Sequence, residues 1–450
     1  MSGAAKADGA EQGIGLWGAV AIGIGGMVGG GIFAVLGVVA EDAGSGAPLA
    51  FLLAGVVALL TARSYSKLSV KYPSRGGSVV FVDRVFGVRL ATGALNTLLW
   101  FGYLVTLALY AVAFANYAET FVGSGQDPAA WLHHLLITAA ILIPTGLNLL
   151  SAARVAEAET AIVALKLAIL AIVGIAGTTT VDASKLAVST WPGIPAIAAA
   201  GMLVFVAYEG FELIANSAED VRQPNRNLKK AFFISVGVVI ALYVAIAAVT
   251  VGSLSPDQIK SSSDFALAEA AKPSLGEAGF ILVAVSAVLA TLSAINATLY
   301  GTARLSYSIA DEGELPPLLE RKVWTEPVGL LITAAVSLLL ANLLVVTEIS
   351  SIASAVFLVV FGVVNAAAFK VATDSRTGRT LSALGIAGCA AAVIVLLIDT
   401  ATNRPVGLVV FVGMVLASLV AEFTWLRRRR RIYLGSGSDR TGATEGPADG

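Results

Sequence analysis

The chain has 450 residues, 57% of them hydrophobic and 13% charged, with a formal net charge of −1 and a mean hydropathy of +0.84. A soluble globular protein carries about 25% charged residues. This composition therefore excludes a large soluble enzyme and a basic nucleic-acid-binding surface, and it indicates a membrane protein. The single cysteine, Cys389, allows no internal disulfide and no cysteine-based metal site. The two histidines, His133 and His134, precede an apolar run and read as interfacial. No metal or cofactor is expected.

Residues 1–12 read as a short cytoplasmic segment. It is not a cleavable signal, because Lys6 is followed by a 28-residue stretch of apolar residues and glycine. Apolar runs long enough to cross a hydrocarbon core about 30 Å thick then recur along the chain. They predict twelve spans, at 13–40, 47–71, 90–121, 132–151, 155–177, 194–217, 229–252, 277–305, 327–346, 350–370, 380–399 and 405–426. The longest polar insert is 253–276, and the tail 427–450 begins basic and ends Gly/Ser-rich, as a disordered segment does. Of the 29 lysines and arginines, 24 fall on one side of this arrangement, four on the other, and Lys166 inside the membrane. The positive-inside rule then puts both termini in the cytoplasm of a multi-pass cytoplasmic-membrane protein. The Arg427–Arg431 run reads as an anchor to anionic lipid, with a regulatory switch as the second reading.

Span 1 carries five glycines in the seven residues Gly25–Gly31. Each costs a helix about 0.8–1 kcal/mol relative to alanine, or about 4–5 kcal/mol together. Two readings fit: close packing of an intact helix, or a broken helix whose freed backbone lines a cavity. Span 6 favours the second, since Glu209, Gly210 and Glu212 interrupt it mid-run. A carboxylate at that depth costs several kcal/mol unless paired or hydrated. Paired interruptions five helices apart suggest an inverted repeat with a central site. Unwinding span 1 frees the N–H groups of Gly30, Gly31 and Ile32, an anion site. It also frees the carbonyl of Met27, and unwinding span 6 frees those of Phe205, Val206 and Glu209, which suit an ammonium. A ligand with both groups is an α-amino acid.

These residues bring a family into view. The chain resembles the amino acid–polyamine–organocation transporters, and among them the proton-coupled amino acid permeases. The resemblance rests on Gly26, Gly29, Gly30, Gly31, Ile32 and Phe33 in span 1, and on Tyr72, Pro73, Gly76 and Gly77 after span 2. The stretch AYEGFELIANSAEDVRQPNRNLKKA around span 6 and TLSAINATLYGTAR in span 8 match as well. It departs at Lys67, where many relatives have glutamate. The resemblance implies an all-α membrane fold of the LeuT type, a 5+5 inverted repeat with helices 1 and 6 broken. Repeat one then covers 13–177, repeat two 194–370, and 380–426 holds peripheral helices within a transporter domain of 13–426.

The same resemblance implies amino acid transport by alternating access, with small-molecule substrate, protons and the bilayer as partners and no nucleic acid. Candidate substrate contacts are Met27, Gly29, Gly30, Gly31, Ile32, Phe205, Val206, Tyr208, Glu209 and Glu212. Tyr208 either closes over the site or fills core. Glu212 either bonds the unwound backbone or responds to pH; Glu209 faces either a substrate side chain or a polar cavity. Asn296 and Asn365 read as polar glue, and Glu219 and Arg226 as structural ion-pair residues at the cytoplasmic exit. Lys166 lies 11 residues into span 5, roughly 16 Å at 1.5 Å per residue. Relatives with a lysine there use its ammonium in place of a bound cation, which implies a coupling set of Lys166, Thr291 and Ser293, against helix packing or snorkelling. Alternatives are a polyamine or cationic-amine importer and an exchanger without proton coupling. No nucleophile–base–metal set for an enzyme and no nucleotide-binding loop for an ATPase is present. Oligomeric state is not legible.

Overall fold

The computed structural model describes residues 13–122, 130–150, 155–311, 322–323, 326–372 and 376–438. The expected N-terminal segment 1–12, Arg154, Arg321 and the tail beyond Ser438 lie outside them. Apolar helix-forming runs fold as α1 (Leu16–Met27), α2 (Gly31–Ala43), α3 (Ala47–Lys71), α4 (Gly77–Phe86), α5 (Leu90–Glu119), α6 (Ala130–Leu150) and α7 (Val155–Gly177). The chain continues as α8 (Ile194–Leu203), α9 (Leu213–Asn216), α10 (Pro224–Ser253), α11 (Pro256–Ser261) and α12 (Ala266–Asp311). It ends with α13 (Val328–Leu343), α14 (Val346–Val371), α15 (Arg376–Asn403) and α16 (Pro405–Ser438). Among the described residues the only strands are a two-residue pair, Lys322–Val323 with Glu326–Pro327. Every expected span contains helix, and nine helices among the described residues are long and apolar enough to cross a membrane.

Burial orders these helices. The apolar windows of α5 and of Ile194–Asn216 are each 83% buried, against 28% for α15 and 22% for α16. α5 is therefore the central post, with α6, α12, α13, α14 and α16 packed around it, while α15 and α16 turn Ile398, Val409 and Val420 outward. Side-chain amides tie helices together where lipid offers no partner. Asn148 Nδ2 donates to Asn296 Oδ1 at 2.7 Å between α6 and α12, and Asn365 Nδ2 donates to Thr61 Oγ1 at 3.0 Å between α14 and α3. His133 Nδ1 sits 2.8 Å from Glu119 Oε1, and His134 Nδ1 sits 2.8 Å from Asn342 Oδ1.

Both interrupted spans are broken. α1 stops at Met27, Val28 leaves the helical region at φ −82°, ψ 52°, and α2 starts at Gly31. After α8 the chain runs through a 3₁₀ turn, Val204–Tyr208, an extended Glu209 and Gly210 at φ +113° before α9. The segment before α1 and the segment after α9 are joined by backbone hydrogen bonds, with ion pairs beside them. Ile14 N donates to Asp220 O at 2.8 Å and Arg222 N to Ile14 O at 2.9 Å. Arg75, not Arg226, is the partner of Glu219, at 3.7 Å, and it also meets Asp220 at 3.4 Å. These pairs are exposed and contribute about 0–1 kcal/mol each.

Two segments hold more helix than their sequence reading assigned. The polar insert 253–276, given no structure there, is largely helical, because Ser255 and Gln258 cap α11 reciprocally at 3.3 Å and 2.9 Å. α12 begins inside the insert and is broken at Gly276, φ +66°. The insert lies on α2: the backbone of Ser263 touches Gly37 so closely that a Cβ there has no room. The second segment is the start of the tail, where α16 carries the backbone on to Ser438 in helix.

Gly37→Ala lowers the midpoint of thermal unfolding, because overpacking against backbone costs about 1–3 kcal/mol. Gly413→Ala, with nothing within 4 Å of the added methyl, leaves the midpoint unchanged or raises it. Heating detergent-solubilised variants before size-exclusion chromatography measures both.

Candidate functional site

The two breaks meet backbone on backbone. A Cβ on Gly210 would lie 2.7 Å from Gly26 O and from Met27 N, and one on Gly26 would lie 2.6 Å from Gly210 O. Only glycine permits this approach, and at Gly210 the positive φ demands it as well. A Cβ on Gly31 would come within 2.9 Å of Ala207 Cα, so the start of α2 also rests on the 3₁₀ turn.

Hydroxyls from two neighbouring helices satisfy the loosened backbone, and one from the broken segment ties it to a third. Tyr243 OH of α10 lies 2.8 Å from Met27 O and 3.2 Å from Ala207 O, so one phenol proton serves both breaks. Ser354 Oγ of α14 donates to Leu203 O at 2.7 Å and accepts from Val206 N at 2.9 Å. Tyr208 OH donates to Phe51 O of α3 at 2.8 Å, and its ring centroid stands 5.3 Å from that of Tyr243. Phe205 packs its ring against Phe361. Two carbonyls read from sequence as free therefore already have donors: Met27 O from Tyr243, and Val206 O from Glu209 N at 3.1 Å. A carbonyl has a second lone pair for a further donor.

At the start of α2 no side chain caps the helix. Helix geometry leaves the N–H groups of Gly31, Ile32 and Phe33 without intrahelical partners, at the positive end of the dipole. Tyr110 of α5 and Thr291 of α12 border this end: a Cβ on Gly30 would lie 2.9 Å from Tyr110 Cγ and 3.2 Å from Thr291 Cγ2. Ala294 borders Gly29. The Thr291 hydroxyl is turned back to its own helix, donating to Ala287 O at 2.8 Å. Ser293 is half-buried nearby on α12 and makes no hydrogen bond to the break among the described residues.

Three ionisable side chains are buried around the crossing. Lys166 of α7 is 3% exposed, and its Nζ donates to Gly25 O at 3.1 Å, next to the break in span 1. Glu209 Oε2 accepts from Tyr110 OH at 3.3 Å. Glu212 Oε1 accepts from Tyr103 OH at 3.1 Å, and its Oε2 accepts from Gly210 N at 2.8 Å. Glu212 thus bonds the unwound backbone itself. The sequence reading did not include Tyr103, Tyr110, Tyr243 or Ser354. Their available signal is a polar atom repeating at helical spacing in an apolar helix, as in Tyr103 and Tyr110, seven residues apart. Among the described residues no group of three or more His, Cys, Asp or Glu stands ready for a metal.

The family model for amino acid permeases matches residues 14–422. The chain belongs to the amino acid permease family. This permease is 38% identical over 350 residues to an uncharacterised protein of Methanocaldococcus jannaschii, covering 77% of this chain and 80% of that one. It is 31% identical over 420 residues to the inner membrane transport protein YbaT of Escherichia coli, covering 92% and 97%. It is also 31% identical over 322 residues to the large neutral amino acids transporter small subunit 2 of Mus musculus, covering 68% and 59%. The permease is thus a multi-pass membrane protein, and the named relatives among these are transporters.

Ser354→Ala in the permease removes a hydroxyl that bonds both Val206 N and Leu203 O and leaves them only the poorer 3₁₀ bond between them. Each lost hydrogen bond costs about 0.5–1.5 kcal/mol, so the thermal midpoint falls, whereas Ser350→Ala, which removes only a bond to its own helix at Val346 O, changes it less. Comparing the two unfolding midpoints measures the staple directly.

Proposed function

We propose that the chain is a secondary transporter that carries α-amino acids across the cytoplasmic membrane by alternating access, coupled to protons. The observation that carries this reading is the crossing of the two breaks. The uncapped start of α2 offers N–H groups to a carboxylate. The unwound span 6 offers carbonyls and the Glu209 carboxylate to an ammonium a few ångströms away. The glycine contact holds these two half-sites side by side, so a ligand with both charges on neighbouring atoms fits best. Met27, Gly29, Gly30, Gly31, Ile32, Phe205, Val206, Tyr208, Glu209 and Glu212 are the proposed contacts. The relatives named for amino acids support the same substrate class.

In this reading the domain spans 13–426 as two inverted five-helix repeats, 13–177 and 194–370, with both termini cytoplasmic. The closed exit at Arg75, Glu219 and Asp220 and the insert on α2 are the two gates that open alternately. Lys166 serves as the fixed ammonium that steadies the end of α1, with Thr291 and Ser293 on the facing helix completing a coupling set. The burial of two carboxylates at the crossing favours one competing reading, a polyamine or cationic-amine importer. An amine reader would not need the N–H groups at α2.

Proteoliposomes given labelled L-leucine, L-alanine, L-lysine or putrescine, with and without an imposed pH gradient, separate these readings. At least one amino acid accumulates under the gradient, and its decarboxylated analogue competes poorly. Better displacement by putrescine than by any amino acid would replace the amino acid reading. Lys166→Ala keeps counterflow at equal pH but loses gradient-driven accumulation. Equal accumulation by parent and variant removes Lys166 from the coupling set.

A further inference from the structure

α5 presents three hydroxyls along one face of its middle: Tyr103, Thr106 and Tyr110, spaced three and four residues apart. That spacing stacks side chains on one side of a helix. The outer two are engaged by Glu212 and Glu209, as described. The middle one is different. Thr106 is fully buried, and its hydroxyl has no hydrogen-bond partner among the described residues. A stranded hydroxyl costs about 1–3 kcal/mol, and this one lies between the two tyrosines that hold the carboxyls.

Glu209 and Glu212 lie three residues apart in the broken segment, and both are buried. Two ionised carboxylates in one site away from bulk water disfavour each other. One proton on the pair removes that repulsion and supplies an O–H donor. The side chains that bond the pair are phenols, Tyr103 and Tyr110 from α5; Tyr65 from α3 packs on Phe211 between them, and Tyr243 from α10 bonds Ala207 O of the same segment. α14 presents Phe357 and Phe361, whose rings pack on Tyr103 and Phe211. Lys166 of α7 reaches the same crossing at Gly25. With one proton on the pair, the buried charges around the crossing are one carboxylate and one ammonium, which balance.

We infer that Glu209 and Glu212 form a single proton-binding site that carries the coupled proton, walled by the Tyr103, Thr106 and Tyr110 hydroxyls of α5. This rests on the proton-coupled reading above and names the group that holds the ion. The step is an acid–base exchange. A proton from water forms an O–H bond on one carboxyl and hydrogen-bonds to the other. That O–H bond later breaks to water, leaving both groups as carboxylates. The pair belongs to the broken segment and its tyrosine donors to α5, so movement of one past the other makes or removes those donors. Release without them leaves two like charges facing each other in a dry site. The proton therefore leaves only where the segment opens to water, which links its release to one side of the membrane.

The test uses proteoliposomes with a trapped pH-sensing dye and the same labelled L-leucine, L-alanine and L-lysine. In Glu209→Gln and Glu212→Gln the acidification per amino acid taken up is lost, whatever rate of amino acid uptake each variant retains, as loss of a buried proton carrier requires. Tyr110→Phe keeps both carboxyls and removes one donor to the ionised form, so its half-maximal uptake moves to higher pH. That variant reads the site even where a glutamine variant fails to fold. Unchanged acidification per amino acid in both glutamine variants overturns the inference, as does an unmoved pH profile in Tyr110→Phe. A parent that moves amino acids without protons overturns the coupling reading itself, a separate result visible before any variant is made.

Discussion

The rest of the structure depends on the contact of Gly26 with Gly210. Two membrane-embedded chains cross there with no side chain between them, at a separation that a single methyl group would prevent. Everything around the crossing follows from that approach. The helices must unwind, because intact helices keep their axes about 8–10 Å apart. Unwinding leaves backbone groups unpaired in a region without bulk water. Each must then find a partner or pay a desolvation penalty of a few kcal/mol.

The partners come from neighbouring helices and from the second broken segment itself. Tyr243 reaches both breaks with one hydroxyl. Ser354 clamps the 3₁₀ turn from α14, Tyr208 reaches across to α3, and Glu212 folds back on Gly210 N. Three separate helices therefore hold the irregular backbone in place. The central region thus lacks regular structure yet is tied to its neighbours by hydrogen bonds. The uncapped start of α2 stands apart from this pattern, and it is the feature on which the proposed substrate site rests.

Much of the fold is legible in the sequence because membrane helices obey a simple length and hydropathy rule. Each of the apolar runs contains helix, and the glycine cluster at Gly25–Gly31 falls where α1 and α2 part. Lys166, Glu209 and Glu212 stand out because charge in an apolar run is expensive. The hydroxyl network is not legible in the same way. A tyrosine in an apolar helix has the same hydropathy whether it fills core or staples a backbone, and only the neighbouring helix distinguishes the two. Tyr243 belongs to that class. The insert after α10 stands out in the sequence only as polar, while the Ser255–Gln258 cap and the alanine-rich start of α12 make it helix.

The insert has a mechanical consequence. It is pinned to α2 at Gly37, where backbone meets Cβ-free backbone and there is no slack to absorb sliding. At its far end it joins α12 through Gly276, a positive-φ glycine with nothing within 4 Å of its missing side chain. One end is thus a tight backbone contact, and the other is a positive-φ glycine with open space around it. A tilt of α2 would carry the insert with it, and Gly276 is the point where the backbone is free to turn.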